Sequence, residues 1–293
     1  MSLVSFVHVP IVNYNALKES VEESLKLINF DFSKKVSKIV IKPNMCYYYH
    51  PSTGEVTDPY FVGILIDVLR EHFAEASEIF IVESDASAMK CKHAFHMLGY
   101  DKLAKDKDIK LVNLSEYEGR TVDVKVNNMG FKFYVPELFY EADLVVNVPK
   151  PKYMNDVKIT CALKNMFGCN AYPRKYVYHR ALNEAIVGIN KLIKTDLVVL
   201  DGLVVSGKYT KRLNLVMSSM DPVALDAAAA NIMGIEPKSV KQIVLASREG
   251  LGNMNFSAMG DYLYAAREFP KKGLKDNVRE VVASFYLKVM CED

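Results

Sequence analysis

The sequence has little of what marks a secreted, membrane-spanning or loop-bound nucleotide protein. Its five cysteines, Cys46, Cys91, Cys161, Cys169 and Cys291, are odd in number, widely spaced and contain no C-x-x-C pair. Such a set builds no disulfide framework and fits thiols kept reduced in a cytoplasm. No stretch reaches the roughly 18 uncharged apolar residues of a membrane-spanning helix. The opening Met1-Ser2-Leu3-Val4-Ser5 lacks a basic n-region and a long apolar h-region, so no signal peptide is expected. The glycines form neither a G-x-G-x-x-G after a strand nor a P-loop, which leaves a Rossmann dinucleotide site or a Walker cradle without support. Charge is nearly balanced, 37 Lys+Arg against 35 Asp+Glu, and a net +2 gives no global reason to expect a polyanionic partner.

What is present describes a folded α/β chain. Of its 293 residues, 50% are hydrophobic and 25% charged, enough to bury a large core. Short β-branched runs alternate with longer helical patterns, the signature of βαβ units and a largely parallel sheet in two Rossmann-like lobes. We expect one α/β unit over residues 1–293, with lobes at about 1–140 and 141–293 as the alternative division. Continuous apolar runs place strands at 37–42, 78–83, 143–148 and 196–201, covered on both faces. Thr57-Asp58-Pro59 and Asp221-Pro222 each read as an N-cap acid followed by proline at the first helical position. Further helices are expected at 16–27, 93–98, 182–193, 238–248 and 276–289, and alternation on either side of Asn127-Asn128 predicts a β-hairpin insertion near 120–135.

Charge is concentrated even though its sum is small. Residues 150–180 hold Lys150, Lys152, Lys158, Lys164, Arg174, Lys175 and Arg180 against Asp156, so the rest of the chain sums to −4. In open α/β sheets ligands sit beyond the carboxyl ends of the strands. Those ends carry Lys42-Pro43-Asn44, Glu83-Ser84-Asp85, Asn147 through Lys152, and Asp201-Gly202. Lysines and amides there suit a small carboxylate or phosphate, although loop ends are also polar merely because they meet water. Thr160 to Gly168 reads as a helix-like stretch ended by glycine, with Thr160, Cys161 and Lys164 near one face. Lys164 can hold an anion, act as acid or base if buried, or form a covalent adduct.

The motifs Lys42-Pro43-Asn44, Thr57-Asp58-Pro59, Ala142 to Lys150, Thr160 with Ala162 to Gly168, His179, Asp201-Gly202 and Asp221-Pro222-Val223-Ala224 with Asp226 follow one another in order. Together they resemble the family catalogued as domain of unknown function 362. Some relatives carry ferredoxin-type cysteine clusters; this chain has none, so an iron–sulfur cofactor is not carried over. A more distant likeness is to nickel-pincer-nucleotide lactate racemases, which use a histidine, a cofactor-holding lysine and a second histidine. Lys164 and His179, fifteen residues apart, are similar to the lysine and the second histidine, but Met154 stands where the first histidine would be. Methionine neither transfers a proton nor binds nickel as imidazole does, which argues against racemase chemistry here.

Other clusters have plainer explanations. Cys91, His93 and His96 could approach a metal, yet two histidines at i, i+3 more often decorate an outer helix face. Cys161 and Cys169 read as buried thiols. Tyr47, Tyr48 and Tyr49 beside His50, and Tyr172, Tyr176 and Tyr178 among Arg174, Lys175 and Arg180, offer rings for a planar ligand or nucleobase. The expectation is an enzyme or ligand-binding protein for a small anionic ligand. Lys164 and His179 are the catalytic candidates, and Lys42, Asn44, Lys150, Lys152, Thr160, Asn165 and Asp201 the ligand-binding ones. No metal is assigned and the cofactor is unknown. A non-catalytic nucleotide- or RNA-binding module and a scaffolding homo-oligomer are the alternatives.

Overall fold

A computed structural model describes residues 1–172 and 174–273; the helix expected at 276–289 and Cys291 lie outside the described residues. The strands are β1 (Ser2–His8), β2 (Lys38–Pro43), β3 (Glu78–Glu83), β4 (Lys110–Asn113), β5 (Gly119–Val126), β6 (Met129–Pro136), β7 (Leu144–Val148), β8 (Lys152–Met154), β9 (Lys158–Thr160), β10 (Leu197–Ser206), β11 (Thr210–Ser219) and β12 (Phe256–Gly260). One sheet runs in the order β12-β1-β11-β10-β7-β2-β3-β4. It is mostly parallel: only β11 runs against its neighbours β1 and β10 along that path. The short hairpin of β8 and β9 leaves the path at β10.

Helices are α1 (Tyr14–Leu27), α2 (Pro59–His72), α3 (Cys91–Met97), α4 (Tyr100–Lys107), α5 (Leu138–Glu141), α6 (Ala162–Met166), α7 (Leu182–Leu192), α8 (Pro222–Ile232), α9 (Lys241–Arg248) and α10 (Tyr262–Glu268). The two acid-proline starts form as the sequence predicts. Asp58 accepts from the Tyr60 amide at 2.9 Å, and Asp221 from Val223 and Ala224 at 2.9 and 3.0 Å.

Continuous apolar strands are continuous because both faces are buried. In β2, Ile39 and Ile41 point into a core shared with α1 and α2, while Val40 points into a second core shared with α6 to α9. Lys42, two residues after Val40, falls on that second side by the alternation of the strand. Strand β10 overruns its expected end by five residues, passing straight through Asp201-Gly202. Asp201 is tolerated inside a strand because its carboxylate accepts from the amides of Asp58 at 2.9 Å and Leu203 at 3.0 Å. A Cβ on Gly202 would lie 2.7 Å from the Leu215 carbonyl oxygen, so glycine permits the tight antiparallel return of β11.

The insertion is a separate two-stranded sheet of β5 and β6. Asn127 and Asn128 both have positive φ, 46° and 64°, as a two-residue hairpin turn matched to strand twist demands. Phe133 on this hairpin packs against Gly188 of α7 and stacks on Tyr178 at 5.0 Å, tying the hairpin to the main body.

Candidate functional site

The carboxyl ends of β2, β3 and β7 meet under α6. Asn165 of α6 donates to the side chain of Asn147 at 2.8 Å and to the Lys42 carbonyl at 3.0 Å, and accepts from Asn44 at 3.0 Å. Asn44 in turn accepts from Lys152 Nζ at 3.0 Å, and Asn147 donates to the Ala162 carbonyl at 2.9 Å. Helix α6 is only one turn long and has no side-chain cap of its own. Asp226, from α8, supplies one by accepting from the amides of Ala162 at 2.6 Å and Leu163 at 3.2 Å. Burial pushes the Asp226 carboxyl up to about 7, against the pull of hydrogen bonds from Cys161 and those two amides.

These elements enclose a cavity of about 600 Å³ whose wall includes Lys42, Lys152, Lys164 and Lys175 against Glu55 and Glu83, a formal excess of two positives. The lysines are not equivalent. Lys42 is buried and bound to Glu83 Oε2 and the Pro43 carbonyl, both at 2.7 Å. Lys152 donates to Asn44 and to the Glu55 carbonyl at 2.9 Å. Lys175 donates to Ser84 Oγ and to the Gly168 carbonyl, which also accepts from Ser84 Oγ. Burial pulls the Lys175 amine down to about 8, with Glu83 opposing and Lys42 reinforcing. The side chain of Lys164 makes no hydrogen bond or ion pair among the described residues, although Cys46 and Asp156 lie near enough to favour its charge. Its amine is held below the ordinary lysine value, first by burial and then by repulsion from Lys152.

Gly168 is where the turn after α6 crosses the buried ion pair. A Cβ there would sit 3.0 Å from Lys42 Cε and 3.1 Å from Glu83 Oε1, so a larger residue would have to push the pair aside. At the mouth stand Tyr47, Tyr49 and Tyr176, all exposed, with the Tyr47 and Tyr49 rings 5.9 Å apart edge to face. Tyr178 instead turns inward and donates to the Lys132 carbonyl.

Seven of the nine candidate residues line this one cavity: Lys42, Asn44, Lys152, Thr160, Lys164, Asn165 and His179, the last exposed at the rim. Lys150 and Asp201 do not. They pair with each other at 3.3 Å, fully buried, and Lys150 also donates to the Val204 carbonyl at 2.6 Å. Their charges face each other, holding β10 to the start of the β8 segment, away from the wall of this cavity. Thr160 also departs from the expected helix face: it ends β9, and α6 begins only at Ala162. Glu83 and Ser84 were legible as a strand end, but their place in the wall was not, and Lys175 stood out only as one charge among seven. Its burial comes from the tertiary fold, which brings it onto Ser84.

The architecture is thus an α/β sheet with a lysine-rich cavity at the carboxyl ends of its parallel strands. The chain belongs to the family described as "Domain of unknown function (DUF362)", whose pattern matches residues 39–231. It is similar to the thylakoid-associated protein sll1697 of Synechocystis sp. (strain ATCC 27184 / PCC 6803 / Kazusa), 25% identical over 234 residues covering 75% of this chain and 70% of that one. Among solved structures it is similar to the lactate racemase apoprotein from Thermoanaerobacterium thermosaccharolyticum, with a TM-score of 0.48 and 15% identity. That match covers 80% of this chain and 58% of the racemase, so the chain spans little more than half its length.

Met154 lines the cavity, and its sulfur accepts from Thr160 Oγ1 at 3.2 Å. No three His, Cys, Asp or Glu side chains among the described residues are grouped to hold a metal ion. His96 is engaged with Asp101 at 3.0 Å and Cys91 is buried. No helix among the described residues is long and apolar enough to cross a membrane.

Proposed function

We propose that the cavity binds a small anion bearing a carboxylate or a phosphate, and that the protein is an enzyme acting on it with Lys164 as the contacting cation and His179 as the proton-transfer group at the mouth. The observation that carries this reading is Lys164. An ammonium drawn partly out of water with no hydrogen-bonded acid or acceptor is costly, and an anionic ligand is the partner that would offset it. Lys42, Lys152 and Lys175 each retain donor capacity beyond the bonds they make inside the wall. A volume of about 600 Å³ suits a metabolite rather than a polymer. Calorimetric titration at low ionic strength with acetate, pyruvate, inorganic phosphate and adenosine monophosphate tests it. Binding by at least one, lost in Lys164→Ala, is expected; no binding by any would sink the proposal.

A second reading is a nucleotide-binding module, favoured by the exposed rings of Tyr47, Tyr49 and Tyr176 around the cavity mouth. Rings in that position would stack on a base while the lysines hold its phosphate. RNA is less suited, since the cations lie inside a cavity and not along a surface track. RNA binding would show a steep salt dependence, which a single enclosed phosphate would not. A cytoplasmic setting remains part of the proposal, supported by Cys46, Cys91, Cys161 and Cys169, all present as free thiols. Cell fractionation checks it, and recovery of the protein with membranes would refute it.

A further inference from the structure

We propose that Lys164 is a covalent catalyst that forms an imine with an α-oxo carboxylate held in the cavity. The inference rests on the anion-binding reading above and names its substrate class. Four lysines share the wall, and three have their nitrogens engaged: Lys42 by Glu83 and Pro43, Lys152 by Asn44 and Glu55, Lys175 by Ser84 and Gly168. Lys164 alone of the four has no such bond among the described residues, so its nitrogen can approach a carbonyl carbon without first breaking one.

The surroundings supply what an amine nucleophile requires. A lysine reacts as the neutral amine, and desolvation together with neighbouring cations favours that form. Lys164 has both, being partly withdrawn from water beside Lys152, with Lys42 adding a little and Cys46 and Asp156 opposing. Those neighbours serve twice, because the cations that repel a protonated Lys164 also attract the carboxylate of the substrate. The amide network of Asn44, Asn147 and Asn165 fixes α6 and Lys152, and so fixes where Lys164 starts from.

In the reaction, Nζ of Lys164 attacks the carbonyl carbon, the C–N bond forms, and the carbonyl oxygen takes up a proton. The carbinolamine then loses its hydroxyl with a second proton as water, leaving a protonated C=N bond. One amine, one carbonyl and one proton become one iminium and one water, with no oxidant or reductant required. His179, at the cavity mouth, is placed to carry protons between substrate and solvent. The iminium can accept the electron pair released when a substrate such as pyruvate loses a proton from the carbon next to the C=N bond, giving a neutral enamine.

Glyoxylate and pyruvate with cyanoborohydride, added to the full chain near neutral pH, test the step by intact mass and peptide mapping. The expected result is one reduced adduct per chain, located on Lys164 and forming faster than on any other lysine, because the amines of Lys42, Lys152 and Lys175 are held in hydrogen bonds. Excess inorganic phosphate should slow it, and Lys164→Arg, with an unchanged melting temperature, should abolish it. Labelling spread over surface lysines with no preference for Lys164 would overturn the proposal. If calorimetry shows Lys164-dependent binding of pyruvate and no imine is trapped, the covalent step falls and the anion site stands. If neither binding nor adduct appears, both fall.

Discussion

Replacing Lys42 and Lys164 by the same residue, methionine, is expected to move stability in opposite directions. Lys42 is 1% exposed and its ammonium sits 2.7 Å from Glu83, itself 3% exposed. Lys42→Met leaves that carboxylate buried without its cation, a loss of about 3–5 kcal/mol. At about 2 °C per kcal/mol for a chain of this size, the melting temperature should fall by about 6–10 °C. Lys164 has no hydrogen-bonded acid or acceptor to strand, and methionine keeps most of its length and apolar stem. Removing an unpartnered amine from a partly enclosed wall should relieve about 1 kcal/mol and raise the melting temperature by about 2 °C. The pH dependence carries a second signature. The folded-state value of Lys164 lies below 10.5, so the folded protein releases this proton before the unfolded chain does. Wild-type stability therefore gains from this residue as pH rises from the lowered value towards 10.5, and the advantage of Lys164→Met should be largest near neutrality and close in alkali. Differential scanning calorimetry of both variants at neutral and alkaline pH reads all of this. Equal destabilisation by the two substitutions would refute the distinction between a structural and an unengaged lysine.

Lys150→Met should cost about 3–5 kcal/mol by stranding Asp201, while Lys150→Met with Asp201→Asn recovers much of it and leaves ligand affinity unchanged; denaturant titration and calorimetry separate the two effects. Asp226 is raised from 3.8 to about 7, so its contribution to stability is fully present below 3.8 and is lost as pH rises through 7. Asp226→Asn should flatten the melting temperature across that window, and an unchanged slope would place the titration elsewhere. Tyr176→Ala should leave the melting temperature unaltered because the ring is exposed, yet weaken adenosine monophosphate by about 1–3 kcal/mol if a base stacks there; equal affinity would remove the nucleotide reading.

The buried parallel strands were legible because covering both faces forces an unbroken apolar run, as in Glu78–Glu83, whose ends the structure reproduces. The continuation of β10 was hidden by Asp201-Gly202, which reads as a stop until Asp58 and Leu203 are seen to satisfy the carboxylate. The β8–β9 hairpin has three residues a side, too few for an alternation to register. In the site, residue types at strand ends pointed to Lys42, Asn44 and Lys152. Sequence could not tell a lysine with a partner from one without. Lys150 and Lys164 look alike in the chain, and only tertiary packing gives the first a close ion pair with Asp201 and leaves the second without one. Lys175, in a run of exposed tyrosines and basic residues, carried no mark of its burial.

Whether Lys164 awaits an anion is read by calorimetric titration of wild type and Lys164→Ala with pyruvate and inorganic phosphate at low salt. Saturable binding of at least one to the wild type is expected, weakened about tenfold or more by the substitution, as loss of a hydrogen bond between charged groups worth about 1.5–3 kcal/mol requires. Affinity that is absent in the wild type, or equal in the two proteins, would contradict it.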